Sequence, residues 1–259
     1  MVRLAYHLLL ALTLGGCAAI DAVKLLAPES HGLEKVTPSL YVEAGADAET
    51  RQRLQEAMVL AERAIKAAYG TVHARLVVHA CITDTCSRNF GGYGAVKAKV
   101  YAGHLVLLSP RGLNWHYIAH EWSHAEVISR LSFTAWLKLP QWFDEGLAVA
   151  ISEAPEHSEA HWQFLVAANV ARPTREELLS LDSLRRWHDA VGRYGEKQNL
   201  ERRARGEPEI TPVYSAAGHE VRPWLRKVGS EGLQRLIADL NAGADLAVAF
   251  RPAVSAAAW

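Results

Sequence analysis

The sequence lacks a surplus of charge of either sign. Its 259 residues include 28 Lys and Arg and 28 Asp and Glu, so the formal net charge at pH 7 is zero. A nucleic-acid-binding protein usually carries a basic surplus or a basic stripe. Neither is evident, so we exclude nucleic acid as a partner. Half of the residues are hydrophobic, which favours a soluble globular protein with a substantial core.

Cysteine is scarce, with three residues in the chain. Cys81 and Cys86 have no second pair of cysteines or histidines at zinc-finger spacing, which disfavours a metal site of that kind. In an oxidising compartment these two residues could close a small loop as a disulfide. Two buried free thiols are the alternative.

The N-terminal apolar stretch, Leu8 to Leu14, is much shorter than the roughly 20 residues that a bilayer requires. With Arg3 before it, the stretch indicates a secretory signal rather than a membrane span. The LGGC segment that ends at Cys17 resembles the lipobox of bacterial lipoproteins. This resemblance implies a signal peptide over 1–16, lipidation of Cys17 and membrane anchoring on the periplasmic side of the envelope. Ala18 favours the outer membrane; an ordinary secreted protein with a coincidental Cys17 is the alternative.

The rest of the chain changes from predicted strands to predicted helices. Residues 17–36 are predicted as the anchor and a tether, and 37–259 as one domain that is strand-rich over 37–110 and helical over 111–259. Strands that precede helices favour an α+β fold. Strands are predicted over 39–44, 75–80 and 97–109, and helices over 47–68, 115–131, 141–152, 156–170, 213–228 and 230–240.

The pentapeptide HEWSH, residues 120–124, matches H-E-x-x-H and falls inside a predicted helix. Residues four apart on a helix share one face and lie about 6 Å apart along the axis, so His120 and His124 can converge on one tetrahedral ion. Glu121 lies about 100° round the helix, where it can reach a metal-bound water without being a ligand. A helix with scattered histidines is the alternative.

A third ligand is available in the next predicted helix. Glu145 lies one turn into that helix, and the short connection between the two helices lets the second pack against the first. Three neighbouring residues are poorer ligands. His116 is about 12 Å from His124 along the axis and is expected in the core or at its rim. Asp144 points about 100° away from Glu145 and is expected to support a ligand or to carry surface charge, and Glu126 faces elsewhere.

Together these residues resemble the gluzincin metallopeptidases, in particular their peptidase-MA-like group. There a Glu-Gly-x-Ala segment supplies the third ligand about twenty residues after the second histidine, and here the gap from His124 to Glu145 is 21 positions. The resemblance extends over Lys97 to Ile151. It implies a zincin-like fold in which a small sheet packs on the metal-binding helix. It also implies one zinc ion and the hydrolysis of peptide or protein substrates.

The resemblance has further implications outside the ligand set. An edge strand, here Val100 to Leu108, would pair with the substrate backbone, with plain sheet core as the alternative. Tyr214 is the first candidate to stabilise the oxyanion and His219 the second, while an aromatic core contact is the alternative for Tyr214. The chain has no Gly-x-Met-Glu-Asn segment, so aminopeptidase specificity does not carry over and endopeptidase action stays open.

Two other functions remain open at this point. A non-catalytic envelope lipoprotein with a structural zinc could act in binding or assembly, although a purely structural site needs no general base such as Glu121. A metal-free helical module that binds other proteins is the third hypothesis.

Overall fold

The computed structural model describes residues 24–94, 96–101 and 103–250, which form two compact units. The first unit contains the residues up to Ala57 together with Leu76–Asn114, and the second contains Met58–Arg75 and the residues from Trp115 onward. The first unit holds the sheet and the second is helical. The α+β fold class is therefore confirmed.

The first unit is built on a five-stranded mixed sheet with the order β1-β2-β3-β5-β4. Strands β1 and β2 are antiparallel, β3 lies parallel to both β2 and β5, and β4 is antiparallel to β5. The strands are β1 (Leu33–Thr37), β2 (Leu40–Glu43), β3 (Val77–Ala80), β4 (Ala98–Tyr101) and β5 (Leu105–Leu108).

One expectation about this sheet was wrong in detail. The single strand predicted over 97–109 is a hairpin of β4 and β5, because Gly103 adopts a left-handed backbone conformation (φ 71°) between them. Strand β5 lies inside the sheet, so of the predicted substrate-binding edge only β4 is an end strand. A 3₁₀ turn (Pro28–His31) and β1 occupy the later part of residues 17–36, which had been predicted as anchor and tether.

Two helices and a disulfide complete the first unit. Helix α1 (Ala48–Tyr69) begins in the first unit and passes into the second at Met58. A short helix, α2 (Asp84–Asn89), follows β3. Cys81 and Cys86 are joined by a disulfide bond, with a Cα–Cα distance of 5.4 Å. The bond closes the small loop in which α2 begins.

The second unit consists of helices joined by short connections. They are α3 (Trp115–Arg130), α4 (Phe133–Lys138), α5 (Gln141–Ser152), α6 (Glu159–Ala167), α7 (Arg175–Leu179), α8 (Leu184–Val191), α9 (Lys197–Ala204), α10 (Pro212–Asn241) and α11 (Leu246–Ala249). The helix predicted over 156–170 is a 3₁₀ turn (Pro155–His157) followed by α6, because Ser158 caps a new helix there. Gly229, with φ 61°, interrupts α10 where two helices had been predicted.

Helix α5 lies between α3 and α10, and two glycines permit the close approach of α5 and α10. A Cβ atom at Gly146 would lie 2.7 Å from Val221 Cγ2 and 2.8 Å from the carbonyl oxygen of Ala217. A Cβ atom at Gly218 would lie 2.4 Å from Val149 Cγ1. Side chains at these two positions would separate the helices, so the packing requires glycine.

The predicted signal peptide and Cys17 lie outside the described residues. Among the helices that the structure describes, none combines the length and apolar character needed to cross a membrane.

Candidate metal centre

The metal-binding motif lies on α3, as its helical spacing requires. His120 and His124 are one turn apart, and their Nε2 atoms are separated by 3.3 Å. His120 is buried and His124 is largely buried. Two imidazole nitrogens therefore meet at one point beside the helix.

Helix α5 adds a carboxylate to the two imidazoles. Glu145 Oε2 lies 3.3 Å from His120 Nε2 and 3.7 Å from His124 Nε2. Its other oxygen, Oε1, accepts a hydrogen bond of 3.0 Å from Gln141 Nε2, which fixes the plane of the carboxylate. Burial alone would raise the pKa of Glu145, but the close approach of His120 and the charges of both histidines outweigh burial and lower it.

The three atoms have the spacing of ligands around one ion. A tetrahedral zinc ion with bonds of about 2.0–2.1 Å separates its ligand atoms by about 3.3–3.4 Å, close to the distances of 3.3, 3.3 and 3.7 Å observed here. Glu145 Oε2 is also fully buried without a hydrogen bond in the described part of the chain. A buried carboxylate oxygen costs free energy unless it is compensated, and a cation would compensate it. His120, His124 and Glu145 can thus hold a metal ion.

Asp144 contacts the ring nitrogen of His124 that does not belong to the three candidate ligand atoms. Its Oδ2 lies 3.0 Å from His124 Nδ1, which accordingly carries the proton of this hydrogen bond. A carboxylate on the second nitrogen is the usual partner of a histidine ligand, because it fixes the tautomer and the ring orientation. Of the two roles left open for Asp144, the structure places it in the supporting one.

The same carboxylates control the proton affinity of His124. Burial alone would lower the pKa of His124, but the charge and hydrogen bond of Asp144, together with the charges of Glu145 and Glu121, raise it to about 10. Without a metal ion the ring is therefore protonated at neutral pH, and a metal ion must displace that proton.

Glu121 is partly exposed and lies near the metal centre without belonging to the ligand set. Its carboxylate is close enough to His124 for its charge to raise the pKa of that ring. A partly exposed carboxylate near His124 can exchange protons with a water molecule that is bound at the three candidate ligand atoms.

The other two residues that were rejected as ligands, His116 and Glu126, have different contacts. His116 Nδ1 lies 2.6 Å from the carbonyl oxygen of Ser152, at the end of α5. Glu126 is fully buried and accepts hydrogen bonds of 2.8 Å from the backbone amides of His73 and Ala74. These two bonds join the segment after α1 to α3, and Glu126 also accepts a hydrogen bond of 2.7 Å from Arg130 on its own helix.

Of the two candidates for the oxyanion, the structure brings Tyr214 to the metal centre. The Tyr214 ring centroid is 6.3 Å from that of His120. His219 is instead stacked on Trp162 at 4.7 Å and holds both oxygens of Glu159 at 3.0 Å through Nδ1. This geometry favours Tyr214 over His219.

His157 also borders this site, and sequence reasoning missed it. Its ring centroid is 6.4 Å from that of His120 and 5.0 Å from that of Tyr214. It lies in the Pro155–His157 turn, which carries no recognisable motif and which helical periodicity had assigned to a helix. No local signal in the sequence distinguishes this histidine.

Comparison of the chain with protein-family models, with curated proteins and with solved structures found no match in any of the three. The resemblance to the gluzincin peptidases therefore rests on the motif residues alone and stays a prediction.

Proposed function

We propose that this protein is a zinc-dependent metallopeptidase. The observation that carries the proposal is the triangle of two imidazole nitrogens and one carboxylate oxygen, with Glu121 beside it and outside the ligand set. Two neutral imidazoles and one carboxylate form a donor set typical of a catalytic zinc, which keeps its fourth position for water. A purely structural zinc site usually has four protein ligands and needs no neighbouring base.

Zinc would supply a polarised carbonyl and a bound water whose pKa falls to about 7. Glu121 would act as the general base that accepts a proton from the attacking water. The same carboxylic acid then donates the proton to the leaving amine, so Glu121 ends the cycle ionised. Asp144 keeps the Nδ1 proton of His124 in place, so that Nε2 is the ligand atom.

Tyr214 is proposed to donate a hydrogen bond to the oxyanion that forms on the substrate. Its ring lies beside His120, and a phenol is a suitable neutral donor for such a charge. The proposed substrate class is a peptide or protein, and cleavage in the middle of a chain or at its end is equally compatible with this set of residues.

The proposed location is the periplasmic side of a bacterial envelope, with a lipid anchor on Cys17. The LGGC segment supports this location, and the disulfide between Cys81 and Cys86 is typical of an oxidising compartment. Metabolic labelling with palmitate tests the anchor. Label is expected in the wild type and absent in Cys17→Ala, and an unlabelled wild type contradicts lipidation.

The catalytic proposal is tested with Glu121→Gln, which keeps the shape of the side chain but removes the base. A peptide library and elemental analysis for zinc measure cleavage and metal content on the same preparations, with and without a chelator. Glu231→Gln is a matched control, because that side chain is 85% exposed on α10.

The wild type and Glu231→Gln are expected to bind one zinc and to cleave peptides until the chelator is added. Glu121→Gln should bind the same amount of zinc and lose cleavage by about a thousandfold or more, since it lacks the general base. Full activity of Glu121→Gln contradicts the mechanism. A wild type that binds zinc and cleaves nothing favours the non-catalytic envelope lipoprotein, and a wild type without zinc favours the metal-free module.

A further inference from the structure

Three rings form a triangle at the metal centre. The ring centroid of Tyr214 is 6.3 Å from that of His120 and 5.0 Å from that of His157. The centroids of His120 and His157 are 6.4 Å apart. His120 belongs to the ligand set and Tyr214 is the proposed oxyanion donor. His157 is 8% exposed, so its ring is enclosed by the protein beside both of them.

The turn that carries His157 is fixed by the helix that carries Tyr214. Thr211 Oγ1 donates a hydrogen bond of 2.6 Å to the carbonyl oxygen of Glu156, and Arg222 Nη2 donates one of 3.0 Å to that of His157. Both donors are on or next to α10, one on each side of Tyr214 in the chain. These two hydrogen bonds therefore fix the position of the turn's backbone relative to Tyr214.

Two further contacts strengthen this arrangement. Arg222 is 3% exposed, and burial lowers its pKa, so its guanidinium needs compensating partners. The His157 carbonyl is one of them, and the Glu159 carboxylate at 3.5 Å is another. The hydroxyl of Tyr117, on the metal-binding helix α3, donates a hydrogen bond to the Glu156 carboxylate. The turn is thus tied both to the helix of the metal ligands and to the helix of Tyr214.

The Tyr214 ring is held between two other rings. His157 stacks on it at 5.0 Å with an interplanar angle of 14°, and Trp187 contacts it edge-on at 5.0 Å with an angle of 89°. Such contacts restrict rotation about the side-chain bonds of a tyrosine. Replacing His157 by a smaller side chain would remove the stacked one of these two ring contacts.

We propose that His157 is a positioning residue that holds the Tyr214 ring in the orientation in which its hydroxyl reaches the substrate oxyanion. This role rests on the proposed peptidase function. It requires the flat shape of the His157 ring rather than a proton from it, so phenylalanine should replace His157 and alanine should not. The effect of His157 should also pass entirely through Tyr214.

Kinetics on four variants test this role: His157→Ala, His157→Phe, Tyr214→Phe and the double variant of His157→Ala with Tyr214→Phe. His157→Ala should lower kcat about tenfold to a hundredfold with KM changed by less than about twofold, because only the oxyanion contact is lost. His157→Phe should recover most of that loss. Tyr214→Phe should lower kcat about a hundredfold, and adding His157→Ala to it should cause no further loss.

A second readout needs no activity. Nuclear Overhauser effects between the rings of Tyr214 and Trp187 report the orientation of Tyr214 directly. They should be strong in the wild type and in His157→Phe and weak in His157→Ala, with or without zinc. Nuclear Overhauser effects in His157→Ala that equal those of the wild type overturn the proposal. Two kinetic results also overturn it: a His157→Phe variant with a kcat as low as that of His157→Ala, or a double variant with a lower kcat than Tyr214→Phe. If the wild type cleaves no peptide, the peptidase function fails while this spectrum still decides the role of His157.

Discussion

The protonation of His124 leads to a quantitative prediction for zinc binding. Burial alone would lower the pKa of this ring, but Asp144, Glu145 and Glu121 raise it to about 10. Zinc binds only the neutral ring, so a proton must leave when the ion enters. At every pH well below the pKa, each unit of lower pH reduces the neutral fraction about tenfold. The zinc affinity should fall about tenfold with it, or about 1.4 kcal/mol per pH unit.

The Asp144→Asn variant tests the cause of this pH dependence. It removes the largest contribution that raises the pKa of His124, so the pKa should move back toward its ordinary value of 6.5. The zinc affinity should then depend less steeply on pH than in the wild type, with the remaining dependence due to Glu145 and Glu121. Above the raised pKa of the wild type both rings are neutral, so their zinc affinities can be compared directly. There the affinity of the variant should be about tenfold to a hundredfold weaker, because the ring loses the charged partner that orients it.

The assay is competition for zinc with a chromophoric chelator from roughly pH 6.5 to 8.5 at constant ionic strength, a range that lies below the raised pKa. Asp182→Asn is a matched control, because Asp182 is 58% exposed in an ion pair with Arg186. This control should behave like the wild type. A wild-type affinity that does not depend on pH refutes the reasoning, and so does an Asp144→Asn variant that keeps the wild-type slope.

Two predictions concern stability, measured by urea unfolding. Burial against Tyr41 and Phe90 lowers the pKa of His79 to about 4 from 6.5. Protonation therefore favours the unfolded chain, and the free energy of unfolding should fall by about 3 kcal/mol as the pH drops between these values; His79→Leu should remove this decline. Gly146→Ala should cost about 1–3 kcal/mol, because its Cβ meets α10. Gly192→Ala, whose Cβ would lie 3.5 Å from its nearest neighbour, should cost nothing. A constant stability below pH 6.5, or equal effects of the two glycine variants, contradicts these expectations.

The elements that carry the three candidate ligands could be predicted because their signals are local. The helix of His120 and His124 was predicted over 115–131 and is observed as Trp115–Arg130, and the helix of Glu145 was predicted and observed over 141–152. Histidines four apart share a helix face whatever the rest of the fold is. The connection between the two helices, which contains only the six-residue helix α4 (Phe133–Lys138), then left few ways to place Glu145.

The hairpin of β4 and β5 was not predicted, since its two strands form one continuous apolar pattern in the sequence. The turn depends on the left-handed backbone of Gly103, and an isolated glycine in a strand pattern indicates a bulge as readily as a turn. The alternation of side chains continues through such a turn. Periodicity therefore gave one long strand.

His157 could not be predicted because its position depends on contacts that are distant in sequence. The turn that contains it is held by Thr211 and Arg222, which lie more than fifty residues further along the chain. The stacking on Tyr214 is equally distant. No spacing within the turn encodes these contacts.

The central claim is that His120, His124 and Glu145 bind one zinc ion together. The most direct test is a crystal structure of the zinc-loaded protein with anomalous differences measured on both sides of the zinc absorption edge. We predict one strong zinc peak, within about 2.0–2.2 Å of the Nε2 atoms of both histidines and of a carboxylate oxygen of Glu145. A zinc peak elsewhere, or none at these residues in protein saturated with zinc, contradicts the account.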